Sequence, residues 1–232
     1  MEQWIDFAKG PLFALTFSIM ILGLVRLVII QTYTIIAGKG RRLINAPWKK
    51  IFSEALSWVV PVKHLIPGTK IFSIVSFLCH IGLLIVPLFL ANHIVLWENL
   101  LKVDLPRLGA VAADYLTLFT VVCLFILLGF RIFSIRLRSM SRKSDYFLLV
   151  LILIPFITGY MMLHPEFNPF SWNFLMLVHL LSAELLFVMI PFTKLAHVVL
   201  FFFDRISAIH WQLRPGAGNQ VAEILYGKEA KV

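Results

Sequence analysis

A chain of 232 residues that is 60% hydrophobic and only 14% charged, with a mean hydropathy of +0.90, lacks the balance of a water-soluble globular domain. It reads as an integral membrane protein. The net charge of +9 sits mostly in two loops, and no basic stretch is interleaved with aromatics on a soluble domain, so no nucleic-acid partner is expected.

Five apolar segments follow in chain order, at about 11–36, 71–97, 112–134, 146–163 and 172–203. Each is near or above the roughly 18 to 20 residues that carry a helix across a bilayer. A transmembrane barrel would instead show alternating strands of about ten residues. The expected fold class is all-α, a single membrane domain of five transmembrane helices over 1–232. The opening "MEQWIDFAKG" has neither the basic region nor the small-residue cleavage site of a signal peptide, so the first span is expected to be retained.

The loop at 38–70 carries Lys39, Arg41, Arg42, Lys49, Lys50, Lys63 and Lys70, and the loop at 132–145 adds Arg136, Arg138, Arg142 and Lys143. The N-terminus and the other two loops hold only Lys9, Lys102 and Arg107. The positive-inside rule then puts the basic loops and the C-terminus in the cytoplasm and the N-terminus outside, in a multi-pass protein of the cytoplasmic (inner) membrane. Within the first basic loop, Trp48, Ile51, Phe52, Ala55, Leu56 and Val59 recur at helical spacing, with Lys49, Lys50, Ser53, Glu54 and Ser57 opposite. That pattern suits a helix lying in the membrane interface or docking a cytoplasmic partner, with Trp48 and Trp58 as anchors. Trp97, Tyr115 and Trp172 fall at the outer span boundaries. Cys79 and Cys123 lie inside spans without a CxxC pair and read as buried thiols.

Four of the seven histidines lie inside spans: His80 and His93 on the second, His179 and His197 on the fifth. Eighteen residues make five full turns, so His179 and His197 share one face of a continuous helix about 27 Å apart. The second and fifth spans run in opposite directions, which places His80 level with His197 and His93 level with His179. Two imidazoles facing each other from opposite helices match the axial ligation of a haem iron, whereas zinc would want three or four ligands per site. Thirteen residues turn an ideal helix by about 220°, so His80 and His93 share a face only if Pro87, between them, kinks the span. Gly82 offers a place where a porphyrin approaches the backbone, or is simply one of the glycines common in membrane helices.

Arg26, Arg131 and Lys194 stand near the cytoplasmic ends of spans, where they suit haem propionates; snorkelling accounts equally well for Arg131 and Lys194. Glu184 lies five residues past His179, about 7.5 Å deeper and rotated by roughly 140°. It reads as a proton or quinone relay, with Asp114 at the outer end of the third span, or as a protonated carboxyl at a helix contact.

"LCHIGLLI", "FRIFSIRLR", "HLLSAELLFVMIPFTKLAH" and Arg26 before "LVIIQTY" together resemble the gamma subunit of respiratory nitrate reductase, a five-helix dihaem cytochrome b. The resemblance covers nearly the whole chain. It implies two haem b groups: an inner one on His80 and His197, and an outer one with His179 as a ligand. The family's fourth ligand falls at Leu90 of this chain, and His93 is assigned in its place. The long first loop and the tail "RPGAG" are more similar to the cytochrome b subunits of sulfate reducers' transmembrane redox complexes. That likeness implies a cytoplasmic iron–sulfur partner of the heterodisulfide-reductase type, a periplasmic multihaem cytochrome c with other membrane subunits, and menaquinone or another quinone as substrate. The contrasting expectation is a proton or ion transporter built on the intramembrane histidines and Glu184.

Overall fold

The computed structural model of the chain describes residues 1–39, 48–57, 69–102, 105–212 and 216–227. These residues form helices and carry no β-strand among them. Five helices are long and apolar enough to cross a membrane: Glu2–Ala37, Lys70–Phe89, Ala110–Phe133, Lys143–Leu163 and Trp172–Phe192. The chain is a multi-pass α-helical membrane protein.

It divides into two compact units. The first comprises Met1–Thr16 and Leu65–Leu186. It opens with α1 (Glu2–Phe7), which passes through a π-helical turn at Ala8–Leu12 into α2 (Phe13–Lys39). Pro11 lies in that turn, where its missing N–H breaks the regular ladder. The unit continues with α4 (Lys70–Phe89), α5 (Ala91–Leu101), α6 (Ala110–Phe133), α7 (Ile135–Met140), α8 (Lys143–Leu163) and most of α9 (Trp172–Met189). Helix α6 packs against both α4 and α8, and Cys79, Cys123, Leu124, Leu127 and Leu153 make the core between them. Both thiols are free and buried there. A Cβ at Gly82 would collide with Thr120 Oγ1, so this glycine admits α6 against α4. The backbone approach expected there for a porphyrin is taken by a neighbouring helix.

The second apolar segment is not one helix. Pro87 sits inside α4, but the ladder stops three residues later at Leu90, whose ψ of 129° is extended. Leu108 N donates to Phe89 O at 2.8 Å and secures the bend. His93 is therefore carried by α5, a helix separate from the one bearing His80, and the 220° mismatch of a single helix does not arise.

At the other end of α6, Ser134 accepts from Leu137 N to start α7, and Asp145 accepts from Arg142 N at 2.8 Å at the start of α8. A carboxylate is favoured at that terminus by the helix dipole. Arg131 binds this turn together: it donates to Ser141 Oγ at 2.9 Å, lies 3.9 Å from Asp145, stacks over the Phe72 ring, and its carbonyl accepts from Tyr146 OH.

The second unit comprises Phe17–His64 and Phe187–Val232. It contains the rest of α2, α3 (Trp48–Ser57), the end of α9, two 3-10 turns at Ile190–Phe192 and Lys194–Ala196, α10 (His197–Gln212) and α11 (Ala217–Tyr226). Gly23 of α2 admits Pro191, and Phe17 meets Phe187 edge-on with ring centres 5.9 Å apart. Helix α3 forms over the amphipathic stretch, but its apolar face is divided. Ile51 and Ala55 are buried and the helix packs on α10, while Trp48, Phe52 and Leu56 stay exposed. Arg41, Arg42, Lys63, Trp58, Val59 and the arginine and proline of the tail motif lie outside the described residues.

Thr193 is extended (φ −127°, ψ −173°) and separates the two 3-10 turns. Helix geometry thus does not run continuously from His179 to His197, so their spacing of eighteen residues does not by itself fix a shared face.

Candidate cofactor-binding site

His93 and His179 come together. Their ring centres are 6.0 Å apart and their planes differ by 29°. Helix α5 supplies one ring and α9 the other, and both are partly buried.

The environment of each ring fixes its chemistry. His93 Nδ1 lies 3.2 Å from Pro87 O, and His179 Nδ1 lies 2.9 Å from Pro155 O. A carbonyl only accepts, so each Nδ1 donates its N–H, and in the neutral ring Nε2 keeps its lone pair. The Pro87 carbonyl also accepts from Trp97 Nε1 at 3.1 Å. Beside His179, Thr158 Oγ1 stands 3.2 Å from Nδ1. Gly159 leaves the space the ring fills: a Cβ there would be 3.1 Å from His179 Cε1. Pro155, Thr158 and Gly159 form a cradle on α8 that sequence reasoning did not single out. Prolines and glycines inside an apolar span were the available signal.

The separation of the two rings would accommodate a haem iron held by one nitrogen of each. A metal–imidazole bond of about 2 Å on each side, with roughly 1 Å more to each ring centre, sets the centres roughly 6 Å apart. Metal-bound histidines characteristically donate their other N–H to a carbonyl or carboxylate. Among the described residues no three of His, Cys, Asp and Glu gather as a closed zinc site would need.

His80 and His197 have the same tautomer logic. His80 Nδ1 faces Ser76 O at 2.6 Å and His197 Nδ1 faces Lys194 O at 2.8 Å; both rings are exposed, His80 in the first unit and His197 in the second. Lys194 thus reaches His197 through its carbonyl. Arg26 lies exposed on α2, and Arg131 is engaged at the α6–α8 turn.

Glu184 is 3% exposed on α9, and neither carboxyl oxygen has a hydrogen-bond partner among the described residues. Asp114 stands instead 3.7 Å from His164 Nε2, at a pocket of about 250 Å³ lined also by Tyr115 and Tyr160. His164 stacks on Tyr160 with ring centres 4.1 Å apart.

The class of protein defined by these features is a multi-pass helical membrane protein with a cross-helix histidine pair. A protein of Nitratidesulfovibrio vulgaris (strain Hildenborough), whose name states no function, is 35% identical over 153 residues, 66% of this chain. The matched region also spans 66% of that relative's length. No family model matches the chain. No solved structure matches it either.

Proposed function

We propose that the chain is a dihaem b-type cytochrome subunit of a membrane redox complex of the nitrate reductase gamma-like kind. It passes electrons across the membrane between menaquinone or another quinone, or a periplasmic cytochrome c, and a cytoplasmic iron–sulfur subunit. The observation that carries this reading is the His93–His179 pair, with both Nδ1 protons held by carbonyls and the ring centres 6.0 Å apart. His80 and His197 are assigned to the inner haem from the resemblance alone. Bound haem iron supplies reversible one-electron chemistry. The chain's part is to present neutral Nε2 atoms, hold their rings in place through Pro87 and Pro155, and keep the site in apolar surroundings.

A reduced-minus-oxidised spectrum with haem quantification tests this. Two b haems per chain are expected, and a purified complex without a reducible b-type band overturns the reading. Replacing His93 or His179 by Ala should remove the same half of the band, and replacing His80 or His197 the other half.

The carboxyl of Glu184, without a partner among the described residues, favours a second reading, proton or ion transport, because a buried ionisable group without a partner is costly unless it works. Flux through liposomes holding the purified protein, with no reductant present, would support that alternative.

A further inference from the structure

The geometry points to a binding site for the primary ammonium headgroup of a phosphatidylethanolamine-type lipid, at the pocket between α6 and α8. This goes beyond the haem reading and does not depend on it. The pocket, of about 250 Å³, is lined by Val111, Asp114, Tyr115 and Leu118 of α6 and by Tyr160 and His164 at the end of α8. Sites for drug-sized molecules begin at roughly 300 Å³, so this one takes a small headgroup rather than a whole large ligand. His164 Nδ1 donates to Tyr160 O at 3.0 Å, so in the neutral ring Nε2 keeps its lone pair, and that nitrogen stands 3.7 Å from Asp114 Oδ2. Two acceptors at that separation do not bond each other and call for a donor that reaches both. A primary ammonium carries three donors and a positive charge, whereas a single hydroxyl donates only once. The rings of Tyr115 and Tyr160 line the same pocket and attract a cation that comes within about 6 Å of a ring face. The surroundings favour a lipid over a free amine. Asp114 lies in the second turn of α6 and His164 caps α8, near the ends of two spans. Val111, Tyr115, Leu118 and Val122 recur at helical spacing and are all exposed, so an apolar stripe leads from the pocket toward the middle of the span, where an acyl chain lies.

Native mass spectrometry of the full chain, delipidated in detergent and titrated with dioleoyl lipids that differ only in headgroup methylation, tests this. The quaternary headgroup of phosphatidylcholine keeps the charge and the acyl chains but has no N–H. Phosphatidylethanolamine should bind about tenfold more tightly than phosphatidylcholine, the effect of one charge-assisted hydrogen bond, with the monomethyl and dimethyl lipids between. Asp114→Asn keeps the shape of the side chain, and His164→Phe keeps a ring against Tyr160; each should bring that ratio toward one. Equal binding of the two lipids by the wild-type protein, or an unchanged ratio in either folded variant, overturns the inference. If His164→Phe fails to fold, Asp114→Asn decides alone. Displacement of bound phosphatidylethanolamine by equimolar menadiol would assign the pocket to a quinol and overturn it as well. No outcome reads the haem, so a missing b-type spectrum overturns the haem reading and leaves the lipid result to stand or fall by itself.

Discussion

At Gly159 the absence of one methyl group gives the His179 ring its place, since a Cβ would stand 3.1 Å from Cε1 and 3.4 Å from Nδ1. Gly159→Val should displace that ring and halve the reduced b-band. Gly129, whose Cβ would meet nothing nearer than 4.0 Å, provides the control, and Gly129→Val should keep both haems. Glu184 is the opposite case, a buried group with no hydrogen-bond partner among the described residues. Glu184→Met should raise stability by about 1–3 kcal/mol, the usual cost of a buried unsatisfied polar group, as read by thermal unfolding in detergent. If the carboxyl relays protons, the same variant should lose quinone-linked turnover while its haems stay reducible. The histidines themselves were legible in the sequence, because ionisable residues in hydrocarbon are conspicuous. The cradle of Pro155, Thr158 and Gly159 was not, because its meaning lies in a neighbour on another helix.

The elements show where helical arithmetic holds and where it ends. Periodicity and length identified the spans, yet two were read as longer helices than they are. A kink was expected at Pro87, whereas the break falls at Leu90 and is secured by the amide of Leu108. Local propensity does not encode that partner. The second break, at Thr193, is held by hydrogen bonds from Thr193 Oγ1 to Met189 O and from Leu195 N to Thr193 Oγ1. At the turn joining α6 to α8, Arg131 was read as a propionate partner or a snorkelling cation, and it is committed to Ser141, Asp145 and Phe72. Arg131→Ala strips the buried Asp145 of its cation and should lower stability by about 1–3 kcal/mol, measured by thermal unfolding. Haem content should remain two per chain; loss of one haem would return Arg131 to the cofactor.

For the whole molecule, composition alone was enough to read a membrane protein, and five apolar stretches were enough to read five helices. The charge asymmetry of the loops adds an orientation that labelling can check. Single cysteines replacing Lys49 on α3 and Arg138 on α7 should react with a membrane-impermeant reagent only in inverted vesicles, and one replacing Glu166 only in right-side-out vesicles. Both basic segments suit an acidic cytoplasmic partner, so if the proposed iron–sulfur subunit docks there, cross-links from α3 or from α7 should reach it in the native complex. Cross-links confined to the segment around Glu166 would place the partner on the other side.

The bend at Leu90 has a bearing on how far an electron travels. Helix α4 is 20 residues long, and at 1.5 Å per residue it covers about 30 Å, the full hydrocarbon thickness by itself. Helix α5 therefore begins where an untilted α4 would already have crossed, which sets His93 toward that end of the span. His179, seven residues from Trp172, lies about 10 Å into α9. If the proposed outer haem is held by this pair, a carrier diffusing in the aqueous compartment reaches it as readily as a lipid-soluble one does.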